Sequence, residues 1–185
     1  MIYDIAIIGA GCAGLSLAYQ ISKNKNIKKK IIILDNKSEF KKDRTWSFWK
    51  VEEHDFEDCL EKEWFKFNIK YQNQYKVFEK LIYPYQTIDS LKFYKKVQSK
   101  LSNNFELRLN SNIKTIKKKS NIFEIKTDNI NIEANIIFDS RVPNKVTGNL
   151  YQHFYGYEIN TNENHFNENN VTLMDFDCEQ KKGVH

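Results

Sequence analysis

Five short stretches carry the residues able to do chemistry. GAGCAG sets Gly9, Gly11 and Gly14 in GxGxxG spacing, with Ala10, Cys12 and Ala13 between them. Asp35 follows Gly14 at about the 20-residue interval at which an acid meets the ribose of a dinucleotide. In such a turn the first glycine permits the sharp exit from a strand. The second lets the backbone approach a pyrophosphate, and the third allows a helix to pack closely on the strand. The helix N-terminus adds unpaired N–H donors and a partial positive charge. DRTWSFW, residues 43–49, holds two of the chain's three tryptophans. Trp46, Phe48 and Trp49 either plug a core or line a pocket for something large, apolar and transiently cationic. FDSR (138–141), YQHFYGYE (151–158) and LMDF (173–176) contribute Asp139, His153, Tyr155 and Asp175.

The elements that must position these groups are legible around the glycines. Asp4 to Ile8 is a short apolar run ending at Gly9, as expected of a buried parallel strand. LSLAYQISK places Leu15, Leu17, Ala18 and Ile21 on a helix, and IIILD (31–35) is a second buried strand ending in an acid. Strand, glycine turn, helix, strand and acid in this order point to a dinucleotide site. The unit accepts NAD or FAD; its extreme N-terminal placement and Ala18 match the flavoprotein version. Cys12 opens the helix, a position that lowers thiol pKa values, yet a small residue is all the turn requires.

Further along, residues 54–63 are expected as a short helix and 65–80 as a hairpin around Asn73. Thr87 to Ser102 reads as a helix with Leu91, Phe93, Tyr94 and Val97 on its apolar side. Short strands are expected at 105–109, 112–117, 121–127 and 130–133, the last three as an antiparallel meander. ANIIFDS (134–140) reads as a buried strand ending in an acid, and 151–160 and 171–177 as two further strands. The fold class is therefore α/β: a Rossmann-like lobe of 1–50 and about 87–142, and an antiparallel-sheet lobe of about 51–86 and 143–185.

Composition narrows the partners. The 185 residues are 41% hydrophobic and 29% charged, which suits a folded chain. The net charge of +5 sits mostly in short lysine runs, without interleaved stacking residues. Solvated turns and a membrane surface account for these runs, and no nucleic acid is expected. Three widely spaced cysteines without a CxxC give no metal site and no disulfide framework. The N-terminus reads as a strand rather than a signal peptide. No apolar run approaches the roughly 20 residues that span a bilayer.

Taken in order, GAGCAGLSLA, DRTWSFW, FDSR, YQHFYGYE and LMDF resemble the bacterial lycopene β-cyclases, flavin-dependent carotenoid cyclases. DRTWSFW and QHFYGY are the specific part of the likeness; GAGCAG is shared with many flavoproteins. The resemblance implies protonation of a terminal double bond of lycopene, closure of a six-membered ring and loss of a proton. It implies reduced FAD, NADPH as electron source, and a cytoplasmic protein peripheral at the inner face of the membrane. Aromatic faces stabilise a desolvated cation by up to about 2 kcal/mol each, a task suited to Trp46, Phe48 and Trp49 with Phe154, Tyr155 and Tyr157. Strand alternation puts His153, Tyr155 and Tyr157 on one face, where His153 is a substrate-lining candidate or a structural histidine. Arg44 is a candidate for the flavin pyrophosphate or a structural partner of Asp43. Asp139 and Asp175 are the catalytic candidates: Asp139 is placed near the flavin, or else caps a loop or pairs with Arg141, and Asp175 is a candidate acid if its setting is apolar.

The family's further glutamate-containing motif and its second flavin-contacting Gly-Asp segment have no counterpart in this sequence. An N-terminal part of such a cyclase, inactive alone, is therefore expected. The alternatives are a FAD-dependent reductase or hydroxylase of the same plan, and a non-enzymatic nucleotide-binding remnant.

Overall fold

A computed structural model describes residues 1–142 and 156–177. Among them the chain forms two compact units, one of residues 1–43 and 90–142, the other of residues 44–89 and 156–177.

The first unit is built on a six-stranded sheet. β1 (Ile2–Ile8), β2 (Ile31–Leu34), β8 (Phe105–Arg108) and β11 (Asn131–Asp139) run parallel in the order β8-β2-β1-β11. β9 (Ile113–Lys119) and β10 (Ile122–Thr127) extend it antiparallel. β2 shows why a continuous apolar run makes a central strand: all four residues are fully buried. Each such side chain contributes on the order of 2 kcal/mol of apolar transfer. Ala6, Ile8, Ile32 and Leu34 join Ile125, Ile132 and Ala134 of the meander in one core cluster.

Two helices complete this unit. α1 (Cys12–Lys23) buries Gly14, Leu15, Ala18 and Tyr19, and α2 (Ser90–Lys100) buries Phe93, Tyr94 and Val97 at helical spacing. α2 starts three residues later than the sequence indicates, because 85–89 is a strand.

β11 fuses the two strands expected at 130–133 and 134–140. Its first half pairs with both β10 and β1, its second half with β1 alone. With one neighbour, the second half lies open: Ile136 and Phe138 are nearly half exposed, not buried as their pattern suggested.

The second unit contains two three-stranded sheets. β3 (Thr45–Trp49), β7 (Tyr85–Asp89) and β4 (Leu60–Trp64) form one, antiparallel throughout, in the order β3-β7-β4. β5 (Phe67–Tyr71) and β6 (Gln74–Phe78) form the expected hairpin. Gln72 and Asn73 both take positive φ, the two-residue turn that matches strand twist. β12 (Val171–Asp175) adds to β5 as the one parallel pair of this unit among the described residues.

Several boundaries differ from the sequence reading. Residues 54–63 are not a helix; a short 3-10 turn, Glu57–Cys59, leads into β4, whose pairing with β7 overrides local propensity. Residues 156–160 have no regular structure. The division between the units falls after Asp43, not after residue 50, because β3 is bonded to β7.

Candidate functional site

The glycine turn occupies the C-terminal end of β1, where open α/β sheets place their ligands. Gly9 has φ +98°, accessible to glycine at little cost. A Cβ on Gly14 would lie 1.9 Å from the Gly9 carbonyl oxygen, so only glycine lets α1 approach β1 this closely. Gly11 differs: among the described residues, its chain neighbours apart, no atom lies within 4 Å of where its Cβ would point. It is the N-cap of α1, with no side-chain cap and no acid in the first turn. The start of α1 thus carries neither a side-chain cap nor an acid of its own, the setting in which a helix N-terminus can take a pyrophosphate.

Asp35 stands beside this turn. Its Oδ2 accepts the Ala10 N–H at 2.5 Å, and its Oδ1 accepts the Lys37 N–H at 2.8 Å. Its own backbone carbonyl receives Ser111 N–H at 2.8 Å, tying the loop after β8 to the loop after β2. A cleft of about 260 Å³ opens here, with Ile8, Leu34 and Ile113 as apolar lining and Asp35, Ser111 and Arg141 among its polar groups. Partial burial pushes the Cys12 thiol up, against a smaller opposing hydrogen bond from Ser16. The thiolate-favouring effect open to a helix N-terminus thus does not prevail at Cys12.

FDSR closes the site from the far side. Ser140 Oγ donates to the Ile8 carbonyl at 2.8 Å, and its backbone N–H donates to the same oxygen at 2.9 Å. Asp139 holds Arg141 in a two-pronged pair, Nε to Oδ1 at 2.9 Å and Nη2 to Oδ2 at 2.7 Å. The guanidinium keeps the Asp139 carboxyl below the usual carboxylate range. Such a group is a poor proton donor, so its geometry is that of a clamp on Arg141.

The loop that follows Asp35 is held by a second cluster. The buried Tyr94 hydroxyl donates to Asp43 at 2.9 Å, and Lys37 Nζ lies 3.3 Å from that hydroxyl and 3.6 Å from Asp43. The Phe40 ring packs on Tyr94 with centroids 4.6 Å apart.

In the second unit, strand alternation separates the aromatics of DRTWSFW. Trp46 and Phe48 share one face of β3 and Trp49 takes the other. Trp49 meets Tyr85 at 5.0 Å and Phe67 at 5.3 Å, and Phe67 stacks on Phe78 at 4.6 Å. Trp49 therefore joins the two sheets of its unit. Phe48 lies edge-on to His54 at 5.2 Å, beside a polar network centred on the fully buried Gln86. Gln86 donates to Glu63 at 2.6 Å and its Oε1 lies 2.9 Å from His54 Nε2. Because Phe56 N–H donates to His54 Nδ1, Nε2 is the nitrogen that carries the proton.

Asp175, at the end of β12, is half exposed and ion-paired with Lys70 at 3.4 Å. Its setting is ionic rather than apolar. A second cleft, about 740 Å³, is lined by Lys62, Trp64, Asn68, Tyr75 and Phe166 among others, and by none of Trp46, Phe48 or Trp49.

The structure thus brings residues 9–14, Asp35 and the 139–141 stretch together. Arg44 belongs to the second unit with Trp46, Phe48, Trp49 and Asp175. His153 and Tyr155 lie outside the described residues. The sequence reading missed Ser140, Ser111 and the Lys37–Tyr94–Asp43 cluster. Ser140 was visible beside Asp139; Ser111 had no local signal, since only strand order brings it to Asp35. Among the described residues no group of three or more His, Cys, Asp or Glu is placed to hold a metal, and no helix is long and apolar enough to cross a membrane.

A parallel sheet with a glycine turn, an uncapped helix N-terminus and an acid at the end of the second strand defines a Rossmann-like dinucleotide fold. Its likeness to solved flavoenzymes is consistent. It matches the mutant PqsL of Pseudomonas aeruginosa with TM-score 0.58 at 9% identity, over 74% of this chain and 42% of that one. It matches p-nitrophenol 4-monooxygenase PnpA of Pseudomonas putida DLL-E4 with TM-score 0.58 at 12% identity, over 75% and 40%. Halogenase PltM, solved with phloroglucinol and FAD, gives TM-score 0.54 at 15% identity, over 75% and 34%. The chain spans between about a third and two-fifths of the length of these three structures. No curated protein matches. The family model described as lycopene cyclase protein matches residues 4–185, and the chain belongs to that family.

Proposed function

We propose that this chain is the N-terminal part of a lycopene β-cyclase. It supplies the FAD-binding lobe and part of the substrate lobe for the conversion of lycopene to β-carotene. The observation that carries this reading is the family match over residues 4–185. The residues present suit the cofactor: the open space at Gly11, the uncapped α1 N-terminus and the Asp35 carboxylate are the donor and acceptor set for a pyrophosphate and a ribose. FAD, reduced by NADPH, supplies the electron-rich flavin that the family's ring closure requires, without net redox change.

Within this reading, Gly9 to Gly14 and Asp35 bind the dinucleotide, and Ser140 holds the turn in place. Trp46, Phe48 and Trp49, with His153 and Tyr155, are the proposed substrate-facing aromatics. Alternation on β3 allows Trp46 with Phe48, or Trp49, to face the polyene, but not both sets. Proton donation is not assigned to Asp139, held as a carboxylate by Arg141, nor to Asp175, paired with Lys70. These 185 residues alone are accordingly proposed to be inactive, with the whole protein cytoplasmic and peripheral at the inner membrane face.

Lycopene-accumulating cells given this chain should retain the linear pigment, and the purified chain should bind FAD. Formation of β-carotene would overturn the inactivity. NADPH oxidation in step with a substrate would instead favour a flavin-dependent reductase or hydroxylase of the same plan. A folded chain that ignores FAD would favour a remnant.

A further inference from the structure

We infer that Arg141 determines the enzyme's preference for the adenine half of its dinucleotide, with Asp139 as the residue that positions it; the inference rests on the FAD-binding reading above. The 260 Å³ cleft is lined by Gly9, where the turn begins, and by Asp35, the ribose acid, and among the described residues by none of 10 to 14, the part of the turn proposed for the pyrophosphate. It therefore lies on the nucleoside side of the turn. Its apolar lining, Ile8, Leu34 and Ile113, suits the face of a base, and Asn36, Ser111 and Asn112 offer polar edges. Among the described residues that line it, Arg141 is the one cation and the one planar side chain apart from carboxylate and amide groups.

A guanidinium stacks on π faces when its plane is fixed. Here Asp139 fixes it through two side-chain bonds, and also receives the Arg141 backbone N–H at 3.1 Å. Asp139 lies opposite Ile8 in the parallel register, and Ser140 bonds the Ile8 carbonyl. Arg141 is thus anchored to the strand that leads into the glycine turn. Because Asp139 already balances its charge, its contribution comes from shape and stacking more than from attraction to phosphate. Lysine, a point charge without a plane, does not replace it.

The test is calorimetric titration of the 185-residue chain with FAD, ADP and UDP. The parent chain should prefer ADP to UDP, since a purine offers the larger face. Arg141→Ala and Arg141→Lys should each weaken ADP and FAD by about tenfold, while weakening UDP less, so that discrimination falls. Asp139→Asn should give a smaller loss that disappears in the Arg141→Ala background. Equal weakening of ADP and UDP, with rescue by lysine, would overturn the inference by showing a phosphate counterion. Unchanged ADP and FAD affinity in both Arg141 variants would overturn it while leaving the dinucleotide reading intact. A folded parent that binds neither FAD nor ADP sinks both. Far-UV circular dichroism of each variant reports whether it remains folded.

Discussion

The two units solve different problems with the same chain. In the first, the groups that face the proposed cofactor are mostly backbone N–H and carbonyl atoms, held by glycines and by one strand end. In the second, the groups that face the proposed substrate are side chains, and their direction depends on which face of a strand they take. A backbone site tolerates no extra atom where strand and helix touch. A side-chain site tolerates exchange unless the ring also joins two sheets. Position within the packing, more than residue type, decides what each substitution costs.

The largest expected effect tests this in the first unit. Gly14→Ala sets a methyl group 1.9 Å from a backbone oxygen that cannot swing away. It should destabilise by about 3 kcal/mol or more in urea unfolding. Gly11→Ala meets open space and should leave stability within about 0.5 kcal/mol, yet weaken FAD binding if that space takes the pyrophosphate as proposed. Equal stability losses in the two variants would remove the distinction between packing glycine and ligand glycine.

Next in size is Trp49→Ala. Partly exposed but in contact with both Tyr85 and Phe67, it should cost about 2 kcal/mol without altering FAD affinity. A loss of FAD affinity at unchanged stability would refute the division of labour between the units. Tyr94→Phe removes the hydroxyl that links Asp43 and Lys37 in the buried cluster, and should cost about 1–2 kcal/mol by thermal unfolding.

The smallest effect is a pH dependence. Arg141 lowers the folded-state pKa of Asp139, so its contribution is complete above the ordinary aspartate range and is lost as pH falls through the lower folded value. Asp139→Asn should therefore flatten the acid side of the melting-temperature profile, below about pH 4, and leave the neutral side unchanged. A profile that shifts equally at pH 4 and pH 8 would show that the carboxylate does not act through this pair.

Much of the first unit could be read in advance because its information is local. A β-strand, a GxGxxG turn, a helix and an acid-terminated strand lie within 35 residues, and each has its own spacing signature. The meander expected at 112–133 was legible for the same reason, through turns at short intervals, whereas the fusion of its last strand with 134–140 was not. Residues 54–63 misled because helix propensity is a weak local preference and the pairing of β4 with β7 is a stronger distant one. Asp175 misled because neighbours in sequence are apolar, while Lys70, its partner, comes from another strand.

The sequence alone determined the dinucleotide unit, the family and the set of aromatic residues, since motif spacing and residue type are properties of a contiguous chain. Tertiary structure decided that Asp139 and Arg141 form a clamp, that Ser140 locks the glycine turn, and that Trp49 parts from Trp46 and Phe48. Those outcomes depend on strand order, register and the two-residue alternation of a pleated strand. Each of these is settled only when distant segments pair.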